Sequence, residues 1–460
     1  MMNTVPLLLA STLYAATVTA QGDILGTATV NAAIARGTPS HLASGILYGI
    51  PDAQGQIPSE FYTDMGFNYG RGGGSRLPSP ALGWVYGETQ FENRFASALS
   101  NYQTARSYGA PFQLLVADLW GADQTSVVPL PGDDGNWTSY DLFLDALFEA
   151  LTDNEMTEAL DFEIWNEPDT AFEANLTQFY DMWARGYRRV KEAFPDMPII
   201  GPCSASRPYV GESFWAEFLA FVAADGTEPQ LYCWHEESSS YDIATDLEDF
   251  NATLAYYGAS YSPVNINEYA TEDEQVPGAI VWYVSRLERY DTQGLRGNWA
   301  IGYSLHDYLA NLLGKPGATE DCTDADTCAV STGYWGNGEF DVYRYYNLNM
   351  TGERLATTGS PDALFDIYAT SDGTTVRMLC GSRLTAGTWD IAVTNLAALG
   401  LPDSGTIVIQ SYQFNWPNGV FGDVPSPVNQ GTYPHDYSDG TLVFYVSPNE
   451  TTAYAFEFTI

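Results

Sequence analysis

A glutamate in the stretch FEIWNEPDT, residues 162–170, carries the clearest chemical signal of the chain. The run up to Ile164 has strand character, and Asn166 and Glu167 follow where that strand ends. A carboxylic acid held there among aromatic residues resists ionisation, because burial disfavours its charged form. Such a group protonates the oxygen that leaves a glycosidic bond and afterwards removes a proton from water. Glu167 is therefore predicted to be a general acid/base.

Short apolar runs alternate with longer segments of helical period between His41 and about Tyr346. This alternation predicts an α/β fold, a parallel (β/α)8 TIM barrel with its active site at the carboxyl ends of the strands. An open doubly wound sheet alternates in the same way and stays as the alternative. The candidate strands are Gly45–Ile50, Gly66–Gly70, Phe112–Ala117, Asp161–Trp165, Met197–Gly201, Gln230–Trp234, Val264–Asn267 and Asn298–Ser304.

The pattern changes after about Gly352, where apolar and polar residues alternate with period two. Such runs, separated by Gly, Pro, Asn and Ser turns, predict antiparallel strands that pack as a β-sandwich. The predicted organisation is a catalytic barrel over residues 41–352 and a C-terminal antiparallel β-sandwich domain over residues 353–460. Residues 21–40 are predicted to add a strand to the sandwich.

The run WNEP, residues 165–168, resembles the acid/base motif of clan A glycoside hydrolases. With FE before it and Asp169 after it, the stretch is most similar to glycoside hydrolase family 39. That family contains β-xylosidases, α-L-iduronidases and relatives, which are retaining barrel enzymes with an attached β-sandwich. The resemblance implies a nucleophile at the end of the seventh barrel strand, where SPVNINEYAT, residues 262–271, places Glu268. This nucleophile must be ionised while Glu167 is protonated.

The same resemblance implies residues that bind the substrate. Asn166 corresponds to the clan residue that hydrogen-bonds the sugar 2-hydroxyl, a contact that strengthens in the transition state. Arg71 resembles the arginine that keeps the nucleophile ionised, since an adjacent cation lowers the pKa of a carboxyl group. His235 resembles the active-site histidine near the nucleophile. Tyr303, near the end of the predicted eighth strand, is expected to form an aromatic platform, a role for which Trp299 competes.

Two features depart from the family pattern. A glycine-rich run, GRGGGS, contains Arg71 where relatives usually carry histidine after the arginine, and Glu236 and Glu237 add carboxyl groups after the sixth strand. GRGGGS lacks the Gly-Lys-Ser/Thr ending of a phosphate-binding loop, so we interpret it as a flexible turn. Glu163, four residues before Glu167, is expected to lie deeper in the barrel in a structural role. The departures bear on substrate preference more than on reaction type.

Metal and serine chemistries are disfavoured by the residues present. The histidines include no pair at i, i+4 that would bind zinc from one helix, and the Gly-x-Ser-x-Gly elbow of serine hydrolases does not occur. No metal and no other cofactor is therefore expected. The histidines are His41, His235, His306 and His435.

The first residues indicate a secretory signal peptide. An apolar stretch runs from Val5 to Val18 and a small-residue cleavage site ends at Ala20, which predicts a signal peptide over residues 1–20. The start lacks the usual Lys or Arg, and a membrane anchor, which needs about 20 unbroken apolar residues, is the weaker alternative. A secreted, extracellular glycoprotein is predicted. The glycosylation sequons start at Asn136, Asn175, Asn251, Asn349 and Asn449.

The formal net charge of the chain is −40. A surface this acidic repels phosphate backbones and anionic membranes, so neither nucleic acid nor a membrane is expected as a partner. A neutral carbohydrate is the expected substrate. The oligomeric state stays open.

Five cysteines occur, and an odd count leaves at least one thiol unpaired. Cys322 and Cys328 bracket the polar loop EDCTDADTC and are predicted to form a disulfide in an oxidising compartment. A metal site is the weaker alternative, because no histidine lies nearby. The pairing of Cys203, Cys233 and Cys380 stays open.

Together these features predict a secreted, retaining glycoside hydrolase. It would cleave O-glycosidic bonds of a plant or fungal polysaccharide or oligosaccharide by double displacement, with β-xylosidase-like activity as the first hypothesis. Two alternatives remain: a secreted carbohydrate-binding protein without catalysis, and an endo-glycanase of another clan A family.

Overall fold

Eight parallel strands close into a barrel. The computed structural model describes residues 23–123, 128–320, 322, 333–424 and 427–460, so the predicted signal peptide lies outside the described residues. The last barrel strand pairs with the first, which confirms the predicted TIM barrel and excludes the open sheet. Strand β1 (Ile24–Ala35) precedes the barrel, whose strands are β2 (Gly45–Leu47), β3 (Tyr69–Gly72), β4 (Phe112–Leu115), β5 (Leu160–Glu163), β6 (Ile199–Ser204), β7 (Leu231–Glu236), β8 (Val264–Tyr269) and β9 (Gln293–Arg296).

The eighth barrel strand was predicted in the wrong place. The segment Asn298–Ser304 forms irregular structure and turns, and the strand is β9, which reads QGLR. Arg296 at its end is fully buried and forms an ion pair with Glu339 at 2.6 Å. Because Arg296 is charged, the buried strand that contains it does not appear as an apolar run. The predicted segment does contain apolar residues, but one of them, Ile301, is 55% exposed. Tyr303 therefore lies in a loop well beyond the strand.

Helices alternate with the barrel strands and cover the outside of the barrel. Several end at a glycine in the left-handed conformation, as at Gly66, Gly226 and Gly258. No helix in the described part of the chain is both long and apolar enough to cross a bilayer. The helices are α1 (Ser59–Met65), α2 (Glu88–Ser107), α3 (Val116–Trp120), α4 (Thr138–Asp153), α5 (Pro168–Ala171), α6 (Leu176–Ala193), α7 (Ser213–Asp225), α8 (Ile243–Tyr257), α9 (Pro277–Arg289), α10 (Tyr308–Asn311) and α11 (Gly338–Leu348).

A second, mostly antiparallel sheet of nine strands contains the C-terminal residues. After a short pair, β10 (Leu313–Gly314) and β11 (Trp335–Gly336), its strands are β12 (Glu353–Thr358), β13 (Phe365–Ser371), β14 (Thr375–Ser382), β15 (Thr388–Thr394), β16 (Gly405–Phe414), β17 (Val428–Tyr437), β18 (Leu442–Val446) and β19 (Ala453–Thr459). The strand order is β17-β16-β19-β14-β13-β12-β1-β15-β18, in which β1 is antiparallel to β12 and parallel to β15. Strands from both ends of this order share one apolar core, so the sheet folds over as the expected sandwich.

Helix α9 joins the barrel to the sheet domain. It packs against β13 and β14, and Arg289 donates to the buried Asp366 at 3.0 Å. From the sheet side, Arg383 forms an ion pair with the buried Glu274 at 2.5 Å. Because α9 lies between β8 and β9 in the chain, these contacts support the part of the barrel that carries Glu268.

Candidate active site

Polar side chains from four strands meet at one end of the barrel. Arg71 lies in β3, His235 in β7 and Glu268 in β8, while Glu167 follows β5 and directly precedes α5. Each is at or just beyond the carboxyl end of its strand, where barrel enzymes hold their catalytic groups. The structure thus brings together residues that are 197 positions apart in the chain, Arg71 and Glu268.

A bulge in β8 sets the direction of Glu268. Trp234 lies opposite Ile266, but the next residue, His235, lies opposite Glu268, so Asn267 is an extra residue in β8. Side chains alternate between the faces of a strand, and without the bulge Glu268 would share the face of Ile266. The extra residue re-aims the carboxyl group, as bulges near active sites commonly do. Glu268 consequently shares the barrel interior with His235.

Arg71 is the centre of a buried ion network. Its Nε and Nη2 atoms each donate to Glu163 at 2.7 Å, Nη1 donates to Glu268 at 2.5 Å, and Nη2 also donates to Asn166 Oδ1 at 2.6 Å. Gln113 Nε2 donates to Glu163 at 2.7 Å. Glu163 is fully buried, so its carboxylate is an anchor for Arg71 rather than a group that reaches a substrate. A planar guanidinium group satisfies such a set of acceptors, which a lysine cannot do.

Glu268 is held as a carboxylate. Burial alone would raise its pKa, but the charges of His235 and Arg71, with the hydrogen bond from Arg71, outweigh burial and lower the pKa below its ordinary value. Its side chain is 14% exposed, so part of the carboxylate is open to the solvent-accessible space between the carboxyl ends of the barrel strands (the cavity). An ionised, partly accessible carboxylate has the properties of a nucleophile.

His235 lies between the two glutamates. Its Nδ1 atom is 3.2 Å from Glu167 Oε1, and its Nε2 atom is 3.4 Å from Glu268 Oε1. Burial lowers the pKa of the imidazole, but the charge of Glu268 and the hydrogen bond with Glu167 outweigh it and raise the pKa to about 9. The ring is therefore a cation at neutral pH that bridges both carboxyl groups.

Glu167 occupies a strained position. Its backbone has φ 44° and ψ 54°, a left-handed conformation that costs a non-glycine residue energy and is common at functional sites. The Glu167 N–H group donates to the Cys203 carbonyl at 2.9 Å, which helps to hold this conformation. Two residues later, Asp169 accepts the N–H groups of Ala205 and Ser206 at 3.0 and 2.9 Å. The side chain of Glu167 is 35% exposed and reaches the cavity.

A disulfide between Cys203 in β6 and Cys233 in β7 lies directly beneath the site. Both residues are fully buried, and Cys233 precedes His235 by two residues. The bridge therefore ties the backbone that anchors Glu167 to the strand that carries His235. The sequence left this pairing open.

The other cysteines are placed as follows. Cys380 in β14 is a buried free thiol. Cys322 is buried, but Cys328 lies outside the described residues, so their pairing stays a prediction.

The fold was compared with known proteins. No family model and no curated protein sequence matches the chain. Among solved structures, a protein from Neocallimastix frontalis is 20% identical with a TM-score of 0.73, over 95% of this chain and 100% of that chain. The GH39 enzyme from Xanthomonas axonopodis pv. citri is 16% identical with a TM-score of 0.58, over 95% and 98%. A GH39 β-xylosidase from Caulobacter crescentus is 15% identical with a TM-score of 0.58, over 94% and 99%. The chain has the fold of clan A glycoside hydrolases.

The role of Tyr303 as an aromatic platform stays a prediction. The Tyr303 N–H group donates to the Cys322 carbonyl at 2.9 Å, and within the described ranges its side chain makes no hydrogen bond to the acidic pair. Trp299 is tied to the segment after β8, because its Nε1 atom donates to the carbonyl of Ala270, two residues after Glu268, at 3.2 Å. With 37% of its surface exposed, Trp299 is the better candidate for an aromatic wall.

The glycine-rich run is packed tightly, and its interpretation as a flexible turn is wrong. A Cβ atom on Gly73 would lie 2.4 Å from the Leu115 carbonyl oxygen, and one on Gly74, whose φ is +79°, would lie 2.2 Å from the Arg94 carbonyl oxygen. The Gly73 N–H group also donates to the Tyr48 hydroxyl at 3.1 Å. The glycines therefore let the segment after Arg71 approach its neighbours and fix the direction of that arginine.

The two extra glutamates after the sixth strand point in different directions. Glu236 is fully buried and accepts a hydrogen bond from Trp234 Nε1 at 2.9 Å, on the face of β7 away from His235. Glu237 is on the side of His235, and the ligand atoms of Glu167, His235 and Glu237 lie within 4.8 Å of one another. The carboxyl groups around His235 stabilise its protonated form and raise its pKa to about 9, so a metal ion would have to displace that proton to bind here. Sequence analysis did not identify this trio.

Proposed function

We propose that the protein is a retaining glycoside hydrolase in which Glu167 is the acid/base and Glu268 the nucleophile. The observation that carries the proposal is the single imidazole of His235, which contacts Glu167 through one ring nitrogen and Glu268 through the other. Contact with one ring brings the two carboxyl groups close together, which supports their action on one sugar. Their environments also differ, since Glu268 is held ionised by Arg71 and the more exposed Glu167 is not in contact with an arginine among the described residues.

In the first step, Glu167 gives its proton to the oxygen of the leaving group while Glu268 attacks the anomeric carbon. The glycosidic bond breaks, and an ester forms between Glu268 and the sugar. In the second step, Glu167 takes a proton from water, the water oxygen attacks the anomeric carbon, and Glu268 leaves as a carboxylate. Each glutamate returns to its starting charge.

Asn166 is placed to bind the sugar beside the nucleophile. Its Oδ1 atom accepts a hydrogen bond from Arg71 at 2.6 Å, which fixes the orientation of the amide. The Nδ2 group then remains as the donor for a sugar hydroxyl, and the 2-hydroxyl is the group expected there. This contact is worth most in the transition state.

A neutral, extracellular carbohydrate of plant or fungal origin is the proposed substrate, with a β-xyloside as the first hypothesis. The net charge of −40 argues against a polyanionic substrate. Secretion is supported by the apolar start of the chain, by the buried Cys203–Cys233 disulfide, and by the sequons, whose asparagines are all exposed.

A panel of aryl glycosides and of plant and fungal polysaccharides tests the proposal. Glu167→Gln and Glu268→Gln should each lower kcat by at least about 100-fold, whereas Glu192→Gln, an exposed change on α6, serves as the matched control. Azide should restore turnover of Glu268→Ala and give a glycosyl azide of inverted configuration. Full activity of either glutamine variant would overturn the assignment.

Product stereochemistry and binding distinguish the alternatives. Proton NMR of the first product should show the anomeric configuration of the substrate, as double displacement requires. Inversion would refute the retaining mechanism. Binding of a polysaccharide without any product would favour a carbohydrate-binding protein, and release of oligosaccharides from internal positions would favour an endo-glycanase.

A further inference from the structure

A third carboxyl group, that of Glu237, lies in the cavity beside the two proposed catalytic glutamates. Its carboxyl oxygen, an oxygen of Glu167 and a ring nitrogen of His235 are all within 4.8 Å of one another. Glu237 Oε1 also lies 3.1 Å from the position of a Cβ atom on Gly297, the residue after β9. Glu237 therefore fills the space between the ends of β7, β8 and β9.

The strand geometry explains why Glu237 and not Glu236 reaches this cavity. Side chains alternate along β7, so His235 and Glu237 share one direction, and Glu236 shares the opposite direction with Trp234. Glu236 lies on the outer face of the barrel strands, where its carboxyl group accepts a hydrogen bond from Trp234 Nε1.

The carboxyl group of Glu237 lies within hydrogen-bonding reach of Glu268. Two carboxyl groups this close form a hydrogen bond only if one of them carries a proton. Burial raises the pKa of Glu237, and the negative charge of Glu268 raises it further. The positive charge of His235 offsets part of this increase, so the pKa of Glu237 is about 8. Glu268 is held ionised by Arg71 at 2.5 Å. Of the two carboxyl groups, Glu237 therefore carries the proton. Its hydroxyl group donates the hydrogen bond, and the carboxylate of Glu268 accepts it.

We propose that Glu237 is a positioning residue, a neutral carboxylic acid that donates a hydrogen bond to Glu268 and so orients the nucleophile opposite Arg71. The inference rests on the proposed function of Glu268. Arg71 and Glu237 then hold the carboxylate from two directions, which restricts its rotation and leaves one lone pair directed at the cavity. When Glu237 ionises, the donor is lost and a second negative charge faces Glu268, with Glu167 and His235 as the other titratable neighbours.

The pH dependence of Glu237 variants tests this role. The substrate is a 2,4-dinitrophenyl glycoside of the sugar that the wild type cleaves, because that leaving group departs without a proton from Glu167 and the profile then reports on Glu268 and its neighbours. In the wild type, kcat/KM should fall with an apparent pKa near 8. Glu237→Gln keeps a donor but cannot ionise, so its alkaline limb should move upward, toward the pKa of His235 at about 9.

The two variants should also differ at pH 6. Glu237→Gln should lose less than about tenfold in kcat/KM, whereas Glu237→Ala, which has no donor, should lose about 10- to 100-fold, as expected for a hydrogen bond to a charged group. An unchanged alkaline limb in Glu237→Gln, or equal activity of Glu237→Ala and wild type, would overturn the inference.

Thermal melting provides a test that does not need turnover. A carboxyl group with a raised pKa in the folded protein stabilises the fold least above that pKa. Relative to Glu237→Gln, the wild type should therefore lose Tm as the pH rises from about 4.5 to 8. A pH-independent difference in Tm would contradict a protonated Glu237. If the wild type cleaves no glycoside, the proposed function fails and the melting curves alone decide the state of Glu237.

Discussion

Replacing Arg71 by lysine tests whether one guanidinium group fixes the charge of the nucleophile. Arg71 donates to Glu163 through two nitrogens, to Glu268 at 2.5 Å and to Asn166 at 2.6 Å. An ammonium group has the same charge but cannot match this planar set of acceptors. We expect Arg71→Lys to keep the buried charge balance of Glu163 and to lose the close contact with Glu268.

The magnitude follows from the lost bond. A hydrogen bond between charged groups contributes about 1.5–3 kcal/mol, and its loss raises the pKa of Glu268. Attack requires the ionised form of Glu268, so a higher pKa removes activity at low pH. The acidic limb of kcat/KM against pH should therefore move upward by about 1–2 pH units in Arg71→Lys.

The assay is a pH profile between pH 3 and 8 on an aryl glycoside, with circular dichroism to show that the variant is folded. Arg207→Lys is a suitable control, because Arg207 pairs with Asp246 and Asp249 at 2.6 and 2.9 Å, away from the nucleophile. An acidic limb that coincides with that of the wild type in folded Arg71→Lys would refute the account of how Glu268 stays ionised.

Three further outcomes are expected. Replacing both Cys203 and Cys233 by alanine should lower the unfolding free energy by about 3–4 kcal/mol, because the disulfide closes a loop of 30 residues. The folded variant should also have a lower kcat. An unchanged kcat would show that the disulfide does not position the site. Because the pKa of His235 is raised to about 9, the charged imidazole stabilises the fold fully below pH 6.5, and this stabilisation is lost as the pH rises through about 9. In urea unfolding, the wild type should therefore lose roughly 3 kcal/mol of unfolding free energy relative to His235→Asn over that range. Parallel plots of unfolding free energy against pH for the two proteins would contradict this. Gly73→Ala places a Cβ atom 2.4 Å from the Leu115 carbonyl oxygen and should lower the stability of the folded protein by about 1–3 kcal/mol, as measured by thermal melting. An unchanged melting temperature would mean that the backbone of this segment shifts to relieve the clash.

The barrel was predictable because most of its strands are short apolar runs that end at turns. The strand before Glu167 mixes apolar and acidic residues in LDFE, but the WNEP motif after it indicates where the strand ends and predicts the acid/base position. The exception is β9, where Arg296 is neutralised by Glu339, 43 residues later in the chain. No local pattern reveals such a pair, and the apolar residues of the following loop resemble a strand more than QGLR does.

The finer features of the site depend on contacts between residues far apart in the chain, which residue spacing in the sequence does not predict. The bulge at Asn267 decides which residues of β8 face the cavity, and the sequence of that strand reads as an ordinary alternation. The tight packing of Gly73 depends on Leu115, which is 42 positions away. Glu237 was noticed only as an extra charge, because its role rests on the proton that it shares with Glu268.

The position of His235 has a consequence for the whole catalytic cycle. In the free protein, the imidazolium pairs with the ionised Glu268 at 3.4 Å, while the proposed mechanism assigns a proton to Glu167, which is 3.2 Å from the other ring nitrogen. After the first step, Glu268 is a neutral ester and Glu167 has lost its proton, so the negative charge has moved from one side of the ring to the other. The imidazolium has one carboxylate partner in both states, and no charge is left unpaired in the buried site. A neutral residue at this position would remove one positive charge from the cluster in both states, and both steps of the reaction would slow.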